Sequence, residues 1–217
     1  MCNSTLTFLG SDAGFGDNNN SAYIEIDNKL ILIDCGITVF NKIKQKFDFK
    51  KYEEINIIIT HLHNDHAGSL SQFILYLYFI HNIKPKVISA CEHIKEFLTY
   101  TGTNTEQYTL VNTDKQIQLI KTEHAPELDC YGCCLNINNK KIVYTGDTKT
   151  LEPFLPYISG ADELYVDVSK NGGVHLKFED IIQDLRHIQN NGTKVYLMHI
   201  DDRAYIYEKC NNEFVIV

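Results

Sequence analysis

Three histidines and one aspartate lie within six consecutive positions of this sequence: His61, His63, Asp65 and His66. Neutral imidazole and carboxylate are ligands that Zn²⁺, Fe²⁺ and Mn²⁺ accept in proteins. In an extended segment His61 and His63 point the same way, and a turn after them would re-aim Asp65 and His66. One ion would not easily take all four side chains, so the spacing predicts a centre with room for two.

Three isolated residues further along the chain carry side chains of the same kinds: His124, Asp147 and His199. Each follows a predicted β-strand, and loops at strand ends converge on one edge of a layered α/β fold. Alone, His124 would be a surface or capping residue, Asp147 would make an Asx turn, and His199 would be a strand-end imidazole. Together with the first cluster they are predicted to complete the two metal shells.

Another histidine, His175, stands just before a predicted helix that begins near Phe178. A helix N-terminus attracts anions through its unbonded N–H groups and its dipole. A phosphate held there would receive a proton from His175. The alternative interpretation is a loop histidine without a role.

Short apolar, β-branched segments between turn signals predict ten strands. They span residues 5–9, 22–26, 30–33, 56–60, 86–89, 117–121, 133–137, 141–145, 163–168 and 194–198. Apolar residues at helical spacing predict helices around residues 39–47, 70–80 and 181–188. Since the sequence contains no linker and no repeat, these elements indicate one mixed α/β domain over residues 1–217.

The composition and net charge of the sequence limit the kinds of molecule that the protein could bind. The 217 residues carry 20 Lys and Arg against 28 Asp and Glu, a formal net charge of −8, which disfavours a long nucleic acid and favours a small substrate. The first six residues lack the pattern of a secretory signal. The longest apolar run, residues 73–80, is far shorter than the roughly 20 residues that cross a bilayer. We therefore expect a cytoplasmic protein with no membrane partner, whose seven cysteines are reduced thiols.

The order of these motifs resembles the metallo-β-lactamase superfamily. The resemblance rests on His-x-His-x-Asp-His at residues 61–66, a later single His, Gly-Asp-Thr at residues 146–148 and a late His after a strand. Residues 32–36 also resemble that superfamily's early strand, whose aspartate, here Asp34, supports the metal site. The resemblance implies a four-layer αββα metallo-β-lactamase sandwich with a dinuclear site on one edge.

The resemblance also implies how the ligands are shared between the ions. The arrangement is His61, His63 and His124 on the first ion, Asp65, His66 and His199 on the second, and Asp147 bridging them. Zinc is the expected ion, although His and Asp also accept Mn²⁺ and Fe²⁺.

Within the superfamily, His175 before a helix resembles the ribonuclease Z-like and cyclic-nucleotide phosphodiesterase branch. The best-known secreted β-lactamases carry Cys where Asp147 stands, and flavodiiron oxidoreductases replace His63 with Glu. Ribonuclease Z itself carries a long clamping arm, and residues 104–147 contain no Lys/Arg-rich insertion of that kind. The branch implies cleavage of a small phosphodiester such as a 3′,5′-cyclic nucleotide, with Asp65 and His175 as catalytic residues. It also implies a homodimer, for which the apolar helix at residues 70–80 offers a contact face.

Other functions remain open at this point. The same site would serve a lactone or thioester hydrolase, a ribonuclease, or a metal-binding module without catalysis, although seven complete ligands argue against the last. The glycine-rich residues 10–16 match neither a dinucleotide nor a Walker spacing, and they predict a turn lining the pocket. The polar residues 17–20 that follow predict a surface loop or a lid.

Overall fold

The computed structural model describes residues 5–217, which divide into two compact units, one ending at Thr113 and the other beginning at Asp114. Each unit contains one six-stranded sheet. We call them unit 1 and unit 2. The prediction of one domain over residues 1–217 stays a prediction.

The sheet of unit 1 has its strands in sequence order. They are β1 Thr7–Gly10, β2 Ser21–Ile26, β3 Lys29–Ile33, β4 Glu54–Ile58, β5 Lys86–Ile88 and β6 Thr109–Val111. The pairs from β1 to β3 are antiparallel, and those from β3 to β6 are parallel. β3 and β4 are buried over almost their whole length, as expected of parallel strands covered on both faces.

The helices of unit 1 contribute aromatic side chains to its core. They are α1 Val39–Lys46, α2 Asn64–Ala67, α3 Leu70–His81 and α4 Ile94–Tyr100, with a 3₁₀ turn at Phe49–Lys51. The ring centroid of Phe73 in α3 lies 5.6 Å from that of Phe49, and both side chains are buried. At the far end of α3, Phe79 and Ile80 are each 67% exposed. The homodimer expected to use this helix stays a prediction.

Unit 2 repeats the same order of strand pairings. Its strands are β7 Ile117–Thr122, β8 Cys130–Ile137, β9 Lys140–Tyr144, β10 Glu163–Asp167, β11 Lys194–Met198 and β12 Val215–Ile216. The pairs from β7 to β9 are antiparallel, and those from β9 to β12 are parallel.

The helices of unit 2 pack on an apolar core. They are α5 Leu155–Ile158, α6 Phe178–Asn190 and α7 Arg203–Cys210, with a 3₁₀ turn at Glu152–Phe154. Phe178 and Leu185 of α6 are fully buried in this core, as is Phe154. These two residues of α6 lie two turns apart and face the same core, which is the helical spacing by which the sequence predicted this helix.

All ten predicted strands are present within two or three residues of their expected ends. Two more, β6 and β12, have three and two residues and were too short to produce a hydrophobic pattern. The predicted helices correspond to α1, α3 and α6, whereas α2 and α5 have four residues each, less than the pattern needs.

Six of the seven cysteines lie in the described residues, and all six are buried free thiols; Cys2 lies outside them. Burial raises the pKa of Cys35 to about 12, so its thiol stays protonated at neutral pH. Among residues 5–217, the helices are too short or too polar to cross a membrane.

Candidate metal centre

In unit 1, the four clustered ligands lie where the chain leaves β4 and enters α2. His61 and His66 are completely buried. Nε2 of His61 lies 3.0 Å from Nδ1 of His63, and Nε2 of His66 lies 3.1 Å from Oδ2 of Asp65. The short helix α2 supplies the turn that the sequence predicted, so that all four side chains meet in one cluster.

Asp34 orients two histidines of this cluster through hydrogen bonds, one direct and one through Thr60. Its carboxylate is fully buried, and its Oδ2 accepts a 2.8 Å hydrogen bond from Nδ1 of His66. The hydroxyl of Thr60 also donates to Asp34, at 2.9 Å, and so accepts the 3.1 Å hydrogen bond from Nδ1 of His61. Both rings therefore carry their proton on Nδ1, and Nε2 has the unprotonated lone pair that a cation accepts.

The backbone of unit 1 places Asp34 at the end of β3. Asp34 has a φ of 62°, a left-handed conformation that Asp tolerates better than most residues. Its N–H donates to the carbonyl of Ile58 at the end of the neighbouring β4. Burial raises the pKa of Asp34, and the ring of His66 and the hydrogen bonds from Thr60 oppose that shift.

In unit 2, the three later ligands form a second cluster. His124, Asp147 and His199 are all buried. Oδ2 of Asp147 lies 3.6 Å from Nε2 of His124 and 3.4 Å from Nε2 of His199. The carbonyl of Val174 accepts a 2.9 Å hydrogen bond from Nδ1 of His124, so this ring also directs Nε2 toward the carboxylate.

The predicted catalytic histidine lies beside this second cluster. Nδ1 of His175 donates to Oδ2 of Asp167 at 2.8 Å and lies 4.0 Å from Oδ2 of Asp147. Its ring is 5.0 Å, centroid to centroid, from that of His199. The side chain is 22% exposed, against 2% for His199 and Asp147, so a substrate can reach it.

The charges around His175 favour its protonated form. Burial lowers the pKa of the imidazole, but the hydrogen bond to Asp167 and the charges of Asp167 and Asp147 outweigh that effect and raise it above its ordinary value. A protonated His175 is suited to give up a proton or to contact an anion.

Asp167 is the functional residue that sequence analysis missed. Its side chain is completely buried, accepts the hydrogen bonds from His175 and from the N–H of Thr148, and lies 3.3 Å from Nδ1 of His199. A carboxylate at the end of an otherwise apolar strand was the available signal. It is the same signal that pointed to Asp147.

The side chains of both clusters are of the kinds that bind divalent cations. In unit 2, ligand atoms of Asp147, Asp167, His175 and His199 lie within 4.8 Å of one another. A metal-binding histidine commonly donates a hydrogen bond from Nδ1 to an oxygen atom, because this bond fixes the tautomer and the orientation of the ring. Four of the predicted ligands have such an oxygen on or facing Nδ1: Thr60 for His61, Asp34 for His66, Val174 for His124 and Asp167 for His199.

Comparison with known sequences shows which family this chain resembles. A sequence model of the family described as Anti-Pycsar protein Apyc1 matches residues 4–101 and 89–217. The Anti-Pycsar protein Apyc1 of Paenibacillus harenae is 25% identical over 230 residues, which cover 94% of this chain and 92% of that relative.

Solved structures share the fold. The metallo-beta-lactamase fold protein YhfI from Bacillus subtilis matches with a TM-score of 0.78 at 17% identity, covering 98% of this chain and 95% of that one. Human tRNase Z, short form, matches with a TM-score of 0.73 at 16% identity and the same two coverages. The predicted metallo-β-lactamase fold class is therefore confirmed.

Proposed function

This chain belongs to the family described as Anti-Pycsar protein Apyc1, and from that membership we propose that it is a metal-dependent hydrolase of a small phosphodiester. The substrate class we propose is a cyclic nucleotide. The net charge of −8 supports a small substrate, because a long nucleic acid would be repelled by the surface as a whole.

The proposed centre combines the two histidine and aspartate clusters. Two divalent cations, with zinc as the expected metal, would be held by His61, His63 and His124, by Asp65, His66 and His199, and by Asp147 between them. When bound, such ions lower the pKa of water and neutralise charge on phosphoryl oxygens. The Nδ1 contacts described above support this assignment, because they orient the histidine rings before any ion arrives.

Two side chains of the protein would transfer protons during the hydrolysis. A bond forms between phosphorus and the oxygen of water, and the bond from phosphorus to the leaving oxygen breaks. Asp65 would orient the attacking water or accept its proton. His175 would protonate the leaving oxygen, since its Nδ1 is engaged by Asp167 and its other nitrogen is the one left to face a substrate.

The observation that carries the proposal is the position of His175. It stands three residues before α6, at 2.8 Å from Asp167 and 4.0 Å from Asp147, and it keeps a partly exposed edge. An acid poised beside a metal ligand at a helix start suits the departure of a phosphoester oxygen. A lactone or thioester hydrolase has less use for an anion site there.

The test combines a substrate panel with a variant. Purified protein loaded with zinc or manganese is assayed on 3′,5′-cyclic CMP, 3′,5′-cyclic AMP, a lactone, a thioester and a precursor tRNA. We expect the cyclic nucleotides to be opened to mononucleotides in preference to the other three. His175→Ala should lower kcat by about 10²- to 10⁴-fold while elemental analysis finds the metal content unchanged.

The matched control is His187→Ala, which removes an exposed histidine of α6 and should leave both readings alone. Near-normal turnover by His175→Ala would remove that residue from the mechanism. Loss of metal together with activity would make it a ligand instead. Preferential turnover of the lactone, the thioester or the tRNA would overturn the proposed substrate class.

A further inference from the structure

Phe15 stands out among the described residues because nothing covers its ring. Its exposure is 109% of the reference value, above the 90% of Tyr100 and the 67% of Phe79. A single exposed apolar side chain is ordinary on a protein surface. The loop that carries Phe15, and the residues this loop touches, are what set it apart.

The loop is held in place by hydrogen bonds at its base. The N–H of Asp12 donates to the carbonyl of Asn18 at 3.0 Å, and the N–H of Asn18 donates back to Oδ2 of Asp12 at 3.1 Å. Nζ of Lys42 in α1 donates to Oδ1 of Asn18 at 2.6 Å and to the carbonyl of Leu9 at 2.9 Å. The exposed ring is therefore presented from a closed, braced turn.

The tip of this loop lies against a proposed metal ligand. A Cβ added to Gly14 would come within 3.2 Å of Oδ2 of Asp65, so the backbone just before Phe15 passes close to that carboxylate. On the other side of Phe15, a Cβ on Gly16 would collide with Asp12, so a glycine is needed there to close the turn. The braced turn thus sets Phe15 one residue from a contact with Asp65.

A second exposed apolar side chain is placed in the same manner. Gly36 packs so tightly on the carbonyl of Asp65 that any Cβ would overlap it, and the next residue, Ile37, is 62% exposed. The N–H of Ile37 donates to the carbonyl of Asn64 at 3.1 Å, which ties it to the start of α2. Phe15 and Ile37 are therefore two large, exposed apolar residues that each directly follow a glycine lying close to Asp65.

We infer that Phe15, with Ile37, forms a stacking platform for the base of a nucleotide whose phosphate lies at the proposed metal centre, for which Asp65 is a ligand. This inference rests on the proposed function and names the part of the substrate that these residues recognise. A nucleotide carries its base one ribose away from its phosphate, so a binding site needs an apolar surface next to its phosphate site. An aromatic face accepts any base, because every base has a π-face.

The sequence offers a direct optical test, because it contains no tryptophan. Phe15→Trp creates a protein with one tryptophan at the platform. Titrating the metal-loaded variant with 5′-CMP or 5′-AMP should quench its fluorescence saturably, as expected when a base stacks on the indole. The control is Phe79→Trp, which is also exposed but lies nine residues along α3 from Leu70, or about 14 Å along the helix axis.

Kinetics supply the second readout. The ratio of kcat/KM for 3′,5′-cyclic CMP to that for the base-free 3′,5′-cyclic phosphate of methyl riboside isolates the contribution of the base. Phe15→Ala should lower this ratio by about 10- to 100-fold, the range that stacking one base on an aromatic ring supports. Most of the loss should be in KM, and Phe79→Ala should leave the ratio unchanged.

The outcomes separate this inference from the proposed function. If the unmodified protein cleaves both probes but Phe15→Ala leaves their ratio unchanged, the platform is wrong and the phosphodiesterase stands. Equal quenching in the Phe15→Trp and Phe79→Trp proteins would also overturn the platform. If the unmodified protein cleaves neither probe, the proposed function fails, and the platform fails with it.

Discussion

At the scale of single residues, Asp34 and Asp167 determine how the histidines point. Each is a completely buried carboxylate that contacts Nδ1 of a predicted metal-binding histidine, His66 in one case and His199 in the other. Burying a carboxylate is costly unless hydrogen bonds or an opposite charge compensate for the lost water. Here the compensation comes from N–H and O–H donors and from imidazole rings, which are themselves oriented in return.

Replacing Asp167 by Asn tests this positioning role. The amide keeps the size of the side chain but loses the negative charge that faces His175 and His199. We expect zinc affinity, measured by competition with a chelating dye, to fall by about 10- to 100-fold, as is usual when such a partner is removed. Thermal unfolding of the metal-free variant checks that the fold persists.

The control for this change is Asp184→Asn, on the exposed side of α6. It removes the same charge from the same unit and should leave the affinity where it was. An Asp167→Asn protein that binds zinc as tightly as the unmodified chain would show that Asp167 does not orient the ligands.

At the scale of elements, both units place their functional residues after corresponding strands. Asp34 follows β3 and Asp147 follows β9, each the strand at which antiparallel pairing gives way to parallel pairing. His61 follows β4, and Asp167 ends β10, the next strand in each sheet. Because the carboxyl ends of parallel strands lie at one edge, each sheet collects its own cluster.

The loop after β3 allows a test of this packing. Gly36→Ala would push a methyl group into the carbonyl oxygen of Asp65, and a backbone atom cannot move aside as a flexible side chain can. We expect the free energy of unfolding of the metal-free protein, from urea titration, to fall by about 1–3 kcal/mol. Zinc affinity should fall as well, because the ligand loop is displaced.

Gly160→Ala is the matched comparison. Its φ of +71° makes alanine strained there, but a Cβ would meet no atom within 4 Å. It should cost some stability without affecting metal binding. If Gly36→Ala and Gly160→Ala had the same effect on zinc affinity, the close approach of Gly36 to Asp65 would have no bearing on the ligands.

At the scale of the whole molecule, charge connects folding with metal binding. The formal net charge is −8, and two divalent cations would bring it to −4. Their positive charge would be concentrated at the ligand clusters, where it attracts a phosphate, and not spread over the surface. An ion that binds the native chain and not the unfolded one also stabilises the fold.

Chelation should therefore destabilise the whole protein. With free zinc at about 100 times its Kd, one site contributes about 2.7 kcal/mol, so adding a chelator should lower Tm by several degrees in a calorimetric scan. His61→Ala should remove most of this difference. His93→Ala, which replaces an exposed histidine, should leave the effect of the chelator on Tm unchanged. If neither zinc nor the chelator changes the Tm of the unmodified protein, the proposed metal centre is wrong.

Local sequence pattern was sufficient for much of this molecule. The apolar runs predicted β2, β3, β4 and β11 because strands buried on both faces need consecutive apolar residues. The density of imidazole at residues 61–66 indicated metal ligation before any fold was considered. The order of motifs predicted the metallo-β-lactamase fold, and the comparison with solved structures confirms that fold.

Only the tertiary structure decided which oxygen contacts which ring. Asp167 is one aspartate among many in the sequence, and its role appears when β10 brings it to His175 and His199. Phe15 was part of a glycine-rich segment, and only the packing of Gly14 on Asp65 connects it to the site. Which residues can bind a metal depends on the chemistry of their side chains, and this can be read from the local sequence. The orientation of a ligand depends on contacts between residues far apart in the chain, which exist only after the strands are in register.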